Sequence, residues 1–230
     1  MKKIRLIITS IIVLSGATAM FSGAGDIYTV KKIRGWTVQV HNQLLNSEKD
    51  LGGKVLDLLD AKLMDINRVV SPKALEQLHK VLIWVDVDNE NFPCAVYHPS
   101  PKWLSEHGMD PRKARSVHIS NAKNFLKWTI EQPSMVLHEL AHAYHHQVLG
   151  YDNPLIKQAF KKAVDGGLYK SVMRYNGEMQ RAYALNNDQE YFAELSEAFF
   201  GVNDFYPFVK AEVMQHDPDM YKILPELWGA

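Results

Sequence analysis

The residues best suited to chemistry stand together in Leu137-His138-Glu139-Leu140-Ala141-His142, within a run whose apolar spacing predicts a helix over 132–149. Side chains four apart share a helical face, so His138 and His142 can aim two imidazoles at one ion. Glu139, beside the first of them, is placed to take a proton from a water activated by that ion. A catalytic zinc site takes three protein ligands and keeps a fourth position open, so a third ligand must come from elsewhere.

Three sources can be weighed. A histidine six residues after His142 would complete the metzincin pattern, but Val148 stands there, and His145 occupies the place of the required glycine. His146 lies about 12 Å along the axis from His138, too far to converge on a bond of about 2.0–2.1 Å. His145 and His146 therefore read as a polar, solvated rim or as part of substrate binding. The remaining source is Glu190-Tyr191-Phe192-Ala193-Glu194, at the start of a helix over 188–200. Glu190 can serve as the third ligand, and Glu194, on the same face, can hydrogen-bond a ligand histidine from behind. The plainer alternative is a capping box between Asn187 and Glu190, with the other glutamates solvated.

His138-Glu139-Leu140-Ala141-His142 followed by Glu190-Tyr191-Phe192-Ala193-Glu194 resembles the gluzincin metallopeptidases. Among them it is most similar to the catalytic domain of anthrax lethal factor and its relatives. The resemblance spans 132–201. It implies a zincin-like domain with one Zn²⁺ held by His138, His142 and Glu190, and Glu139 as general base. It also implies a catalytic role for Tyr183, which stands seven residues before Glu190 as a tyrosine does in that family. Peptide-bond hydrolysis is the expected activity. The alternatives are a catalytically idle zinc protein that binds peptide or cell wall, and a hydrolase of a non-peptide amide.

The elements that must position these residues follow from the rest of the pattern. A strand is expected over 28–41, helices over 47–70 and 72–80, and strands over 81–85 and 94–98. A helical turn should cover 103–109. The short alternating stretch 116–120 reads as an edge strand beside the cleft, able to receive an extended substrate, with His118 close by. Beyond residue 130 the chain reads as helical, with stops at Gly150, Gly166-Gly167 and Gly201 and closing helices over 206–214 and 217–227. The class is α+β: a small N-terminal mixed sheet and a helical C-terminal half.

Lys2, Lys3 and Arg5 precede an apolar run and Ala17-Thr18-Ala19, so residues 1–19 read as a signal peptide and 20–230 as one domain. Export to the periplasm or medium follows, with an uncleaved membrane tether as the alternative and no stable span once the signal is removed. The 26 Lys and Arg balance 26 Asp and Glu, and no basic block is present, which argues against a nucleic-acid partner and leaves a peptide or protein substrate. Cys94 is the one cysteine, so no internal disulfide can form, and its apolar neighbours predict a buried, inert thiol. Neither the substrate-binding residues nor the oligomeric state is legible.

Overall fold

In a computed structural model, residues 27–89 and 92–229 are described. The predicted signal segment lies outside them, and none of their helices is long and apolar enough to cross a membrane. The chain is α+β, with an N-terminal mixed sheet and a helical C-terminal half.

The stretch read as one strand is a hairpin, β1 (Tyr28–Ile33) and β2 (Trp36–His41). Arg34 and Gly35 both take positive φ, 51° and 107°, which matches the right-handed twist of a two-residue turn. A short α1 (Asn42–Asn46) leads into α2 (Lys49–Val69). Gly52, in the first turn of α2, has a packing reason: a Cβ there would collide with the Leu44 carbonyl. Ser71 caps α3 (Pro72–Leu78), accepting from the Ala74 amide at 3.3 Å. Next come β3 (Ile83–Val85), β4 (Ala95–His98), α4 (Pro101–Glu106) and β5 (Ser116–Ile119).

The five-stranded sheet has the order β1-β2-β3-β5-β4. β5 is thus an interior strand, parallel to β3 and antiparallel to β4, which corrects its expected place at the edge. All four of its residues are buried, including two polar ones that sequence alone assigns to a wet strand. The edge beside the motif helix is β4. One face of the sheet carries Trp36, Val38, Val40, Ile83, Val85, Val117 and Ile119 into the main core with Val55, Leu59 and Leu63 of α2.

After α5 (Ala122–Trp128) comes α6 (Met135–Tyr144), which carries the motif. Its last turn, His145–Leu149, is π-helical rather than a continuation of the α-helix. α7 (Pro154–Gly166) is followed by a two-stranded ribbon, β6 (Val172–Met173) and β7 (Met179–Gln180), and by a 3₁₀ turn, Tyr183–Leu185. α8 (Asp188–Phe200) packs on α6, and α9 (Lys210–His216) and α10 (Pro218–Leu227) close the chain. Trp228 locks the two motif-bearing helices together: its ring stacks on Tyr144 at 4.4 Å and on Phe192 at 5.6 Å. Its indole N–H donates to Ser196 Oγ at 3.0 Å, so the joint holds orientation as well as apolar area.

Candidate metal centre

Leu137, Leu140 and Ala141 anchor α6 in the core, and the helical period then carries His138 and His142 to its other side. Ala193 and Leu195 do the same for α8, leaving Glu190, Glu194 and Glu197 toward the histidines. The two surfaces meet. His138 Nε2 and His142 Nε2 are 3.0 Å apart, and each lies 3.1 Å from Glu190 Oε2. For a triangle of that size, a point about 1 Å off its plane lies about 2.0–2.1 Å from every corner, the reach of a zinc–ligand bond. Two neutral imidazoles and one carboxylate are also the donor types a divalent ion of borderline softness prefers. These three residues can hold a metal ion.

Burial opposes charge on His138, but its hydrogen bonds to Glu190 and Glu197 outweigh that and raise its pKa well above the ordinary value. Burial likewise pushes Glu190 upward, and its bonds from His138 and His142 more than offset it, holding the carboxyl well below the usual range. Asn187 does cap α8 by accepting from the Glu190 amide at 2.8 Å. The Glu190 carboxylate takes no part in that cap, which leaves it free for the histidines. The capping alternative is therefore half realised, and compatible with ligation.

Glu194 does not make the bond expected of it. Its Oε1 is 3.8 Å from His138 Nδ1, and its Oε2 accepts from Asn203 at 3.2 Å. Glu197 takes the role instead, accepting from His138 Nδ1 at 2.6 Å. That bond puts the ring's proton on Nδ1 and turns the Nε2 lone pair toward His142 and Glu190. The signal for Glu197 was available in the sequence: seven residues after Glu190 is two helical turns, so it shares that face. His138 Nδ1, Glu194 and Glu197 also form a close group, but it has only one nitrogen donor, and 2.6 Å is a hydrogen-bond length.

Glu139 is buried, and its Oε2 accepts the Tyr97 amide of β4 at 2.7 Å. Cross-strand bonds to β5 involve the Cys94 and His98 carbonyls, so the amides and carbonyls of Ala95 and Tyr97 face away from the sheet. Tyr183 sits at the rim, 47% exposed, with its ring 6.4 Å from that of His138. Arg181 ties down its 3₁₀ turn through 2.7 Å bonds to Asn186 Oδ1 and the Leu185 carbonyl. Burial of its lower part, and the nearby charge of Glu190, raise the Tyr183 pKa, so the hydroxyl stays protonated. Glu139 and Tyr183, with His138, Glu194 and Glu197, border a cleft of about 370 Å³ that also reaches Cys94, Ala95, Arg174 and Asp204. The Cys94 thiol is buried, 3.3 Å from Met135 sulfur, with its pKa pushed up to about 12 by desolvation, as expected of an inert cysteine.

Comparison with protein-family models, curated proteins and solved structures finds no match to this chain. Function must be argued from the site's own chemistry.

Three other histidines complete the accounting. His145, expected at a solvated rim, is fully buried between Tyr151 and Phe192, with both ring nitrogens unpartnered among the described residues. Burial lowers its pKa to about 4, so it is a neutral packing group. Its amide still donates to the Ala141 carbonyl, so His145 continues the buried stripe of Leu137 and Ala141. His146 bonds the Tyr97 hydroxyl through Nδ1 at 2.7 Å and stacks on Tyr151, away from the ligand triangle. His118 lies on the opposite face of the sheet from the core, where its Nε2 donates to Asp86 at 2.8 Å. It belongs to a structural network and does not line the cleft.

Proposed function

We propose that the protein is a zinc-dependent metallopeptidase of gluzincin type, in a zincin-like domain, and that it acts outside the cytoplasm after signal removal. The observation that carries this reading is the convergence of His138 Nε2, His142 Nε2 and Glu190 Oε2 to within 3.1 Å, with a second carboxylate, Glu139, on the same helix.

When bound, the ion supplies Lewis-acid polarisation of a carbonyl and brings the pKa of a water toward neutrality. Glu139 is held by the Tyr97 amide through Oε2, so Oε1 is the atom that accepts the water's proton and later delivers it to the leaving amine. Glu197 keeps the His138 proton on Nδ1, which prevents that ring from turning its N–H toward the reacting centre. The Tyr183 hydroxyl, protonated at working pH, donates a hydrogen bond to the oxyanion that develops on the scissile carbonyl. With the Tyr97 amide taken by Glu139, the outward-facing Ala95 amide and carbonyl and the Tyr97 carbonyl are left for an extended peptide to pair with.

Digestion of a broad peptide library with and without chelator tests this. Cleavage should require metal and should fall by about 10²–10⁴ in Glu139→Gln, the usual weight of a positioned general base. Chelator-insensitive cleavage, or full activity in Glu139→Gln, would contradict it.

A further inference from the structure

A second pocket lies on the far side of β4. It has a volume of about 510 Å³ and is walled by Phe92, Val96, His98 and Trp103, with Lys102 and Glu106 at its mouth. Strand alternation explains its position. Tyr97 pairs in register with Val117 of the core face, so Val96 and His98 project from the opposite face, toward α4. The walls are aromatic and pre-assembled: Phe92 meets His98 edge-on at 5.1 Å and lies 6.1 Å from Trp103, whose other partner is His107, stacked at 3.9 Å. Trp103 is nevertheless 42% exposed, so its ring offers apolar area to a side chain entering the pocket.

The wall's one imidazole is fixed from beneath. Asp86 Oδ2 accepts from His118 Nε2 at 2.8 Å, so His118 Nδ1 is the acceptor of the 3.2 Å bond from His98 Nε2. Lys113 also bonds Asp86, and Tyr28 Oη donates to its other oxygen at 2.7 Å. His98 is thus locked in one tautomer and orientation. Its burial, then the adjoining His118 ring and the Lys113 charge, push its pKa down to about 3, so the wall carries no charge at neutral pH.

The same short strand serves both places. Ala95 borders the catalytic cleft, the Tyr97 amide holds Glu139, and Val96 and His98 wall the pocket. A peptide paired along β4 advances about 3.4 Å per residue and sends alternate side chains to opposite faces. Resting on the peptidase reading above, the geometry points to this pocket as a specificity site that takes a large aromatic side chain of the substrate, within two residues of the scissile bond.

The test separates this inference from the peptidase reading by measuring binding as well as cleavage. Zinc-loaded Glu139→Gln protein is titrated with fluorescein-labelled alanine decapeptides in which one tryptophan or phenylalanine is moved through the sequence. One register should bind at least about tenfold tighter than the all-alanine peptide. That advantage should collapse in Glu139→Gln/Trp103→Ala, and in Glu139→Gln/Val96→Phe, which fills the pocket without removing a wall. Circular dichroism checks that each variant is folded. Absence of an aromatic advantage, or an advantage untouched by both second substitutions, overturns the inference. The parallel wild-type digestion reports on hydrolysis alone: aromatic-dependent binding without any cleavage sinks the peptidase reading and leaves the pocket standing.

Discussion

Two buried polar networks lie on opposite sides of β4, and their charge balance differs. Behind the sheet, Asp86 is met by Lys113, His118 and the Tyr28 hydroxyl. Burial there would raise the Asp86 pKa, but the bonds from His118 and Lys113 overcome it and hold the carboxyl well below its ordinary range. Around the motif helices the acids outnumber their partners. Glu194 is raised well above the usual carboxylate value by burial and by the neighbouring Glu197, and burial raises Glu197 and Asp204 as well. Arg174, 3.4 Å from Asp204, is the one Lys or Arg bordering that cleft among the described residues. The first network is complete with its own cation and fixes structure. The second packs more carboxyl groups than cations to balance them, so they must keep protons unless a bound cation offsets their charge, which is the condition expected of a functional site.

The contrast can be broken from either side. The largest effect on folding should come from Asp86→Asn, which strands Lys113 in a buried position. Losing one partner of such a pair costs about 3–5 kcal/mol, readable as a shift in denaturant midpoint, with metal content unchanged. The sign with pH follows from the same pair. Because the folded-state pKa of Asp86 is depressed, its contribution is fully present above the ordinary aspartate value and is lost as pH falls through the folded one. Acid unfolding of the wild type should therefore show a stability loss below about pH 4 that Asp86→Asn lacks. Equal acid profiles for the two proteins would remove Asp86 from the account.

On the other side, Tyr183→Phe should lower kcat by about 10²–10³ with little change in KM, as expected for an oxyanion donor. A change in KM alone would reduce Tyr183 to a packing residue at the rim. Glu197→Gln should weaken metal binding by about 10–100-fold, the usual cost of removing the carboxylate behind a ligand histidine. Glu194→Gln should weaken it less, since its carboxylate is 3.8 Å from that ring. Competition titration with a zinc indicator ranks the two, and the reverse order would reassign the role.

How far the sequence carried depended on whether a feature was local. The motif pair, the Glu190 face and the α+β class followed from helical and strand periodicity, which short-range sterics set. Glu194 and Glu197 share the Glu190 face, and periodicity alone does not say which of the two the packing of α8 on α6 brings to His138. The interior place of β5 was hidden for a tertiary reason. Ser116 and His118 are polar but buried, bonded to the Lys113 carbonyl and to Asp86, and alternation with polar residues looks the same whether the polar face meets water or a satisfied network. His145 differs from its expected rim position because it lies four residues past Ala141, on the stripe α6 buries, where Tyr151 and Phe192 enclose a residue type that usually stays wet. The pocket on the far side of β4 has no sequence signal at all, since its walls are brought together by the return of α4 over the sheet.

The central claim is that a carboxylate from one helix completes a site begun by two imidazoles of another. Metal analysis of purified, zinc-loaded protein after exchange into metal-free buffer tests it most directly, with wild type beside a folded Glu190→Ala variant. The account predicts one zinc ion per chain in the wild type and its loss from the variant. Equal zinc in both proteins, or none in the wild type, would contradict it.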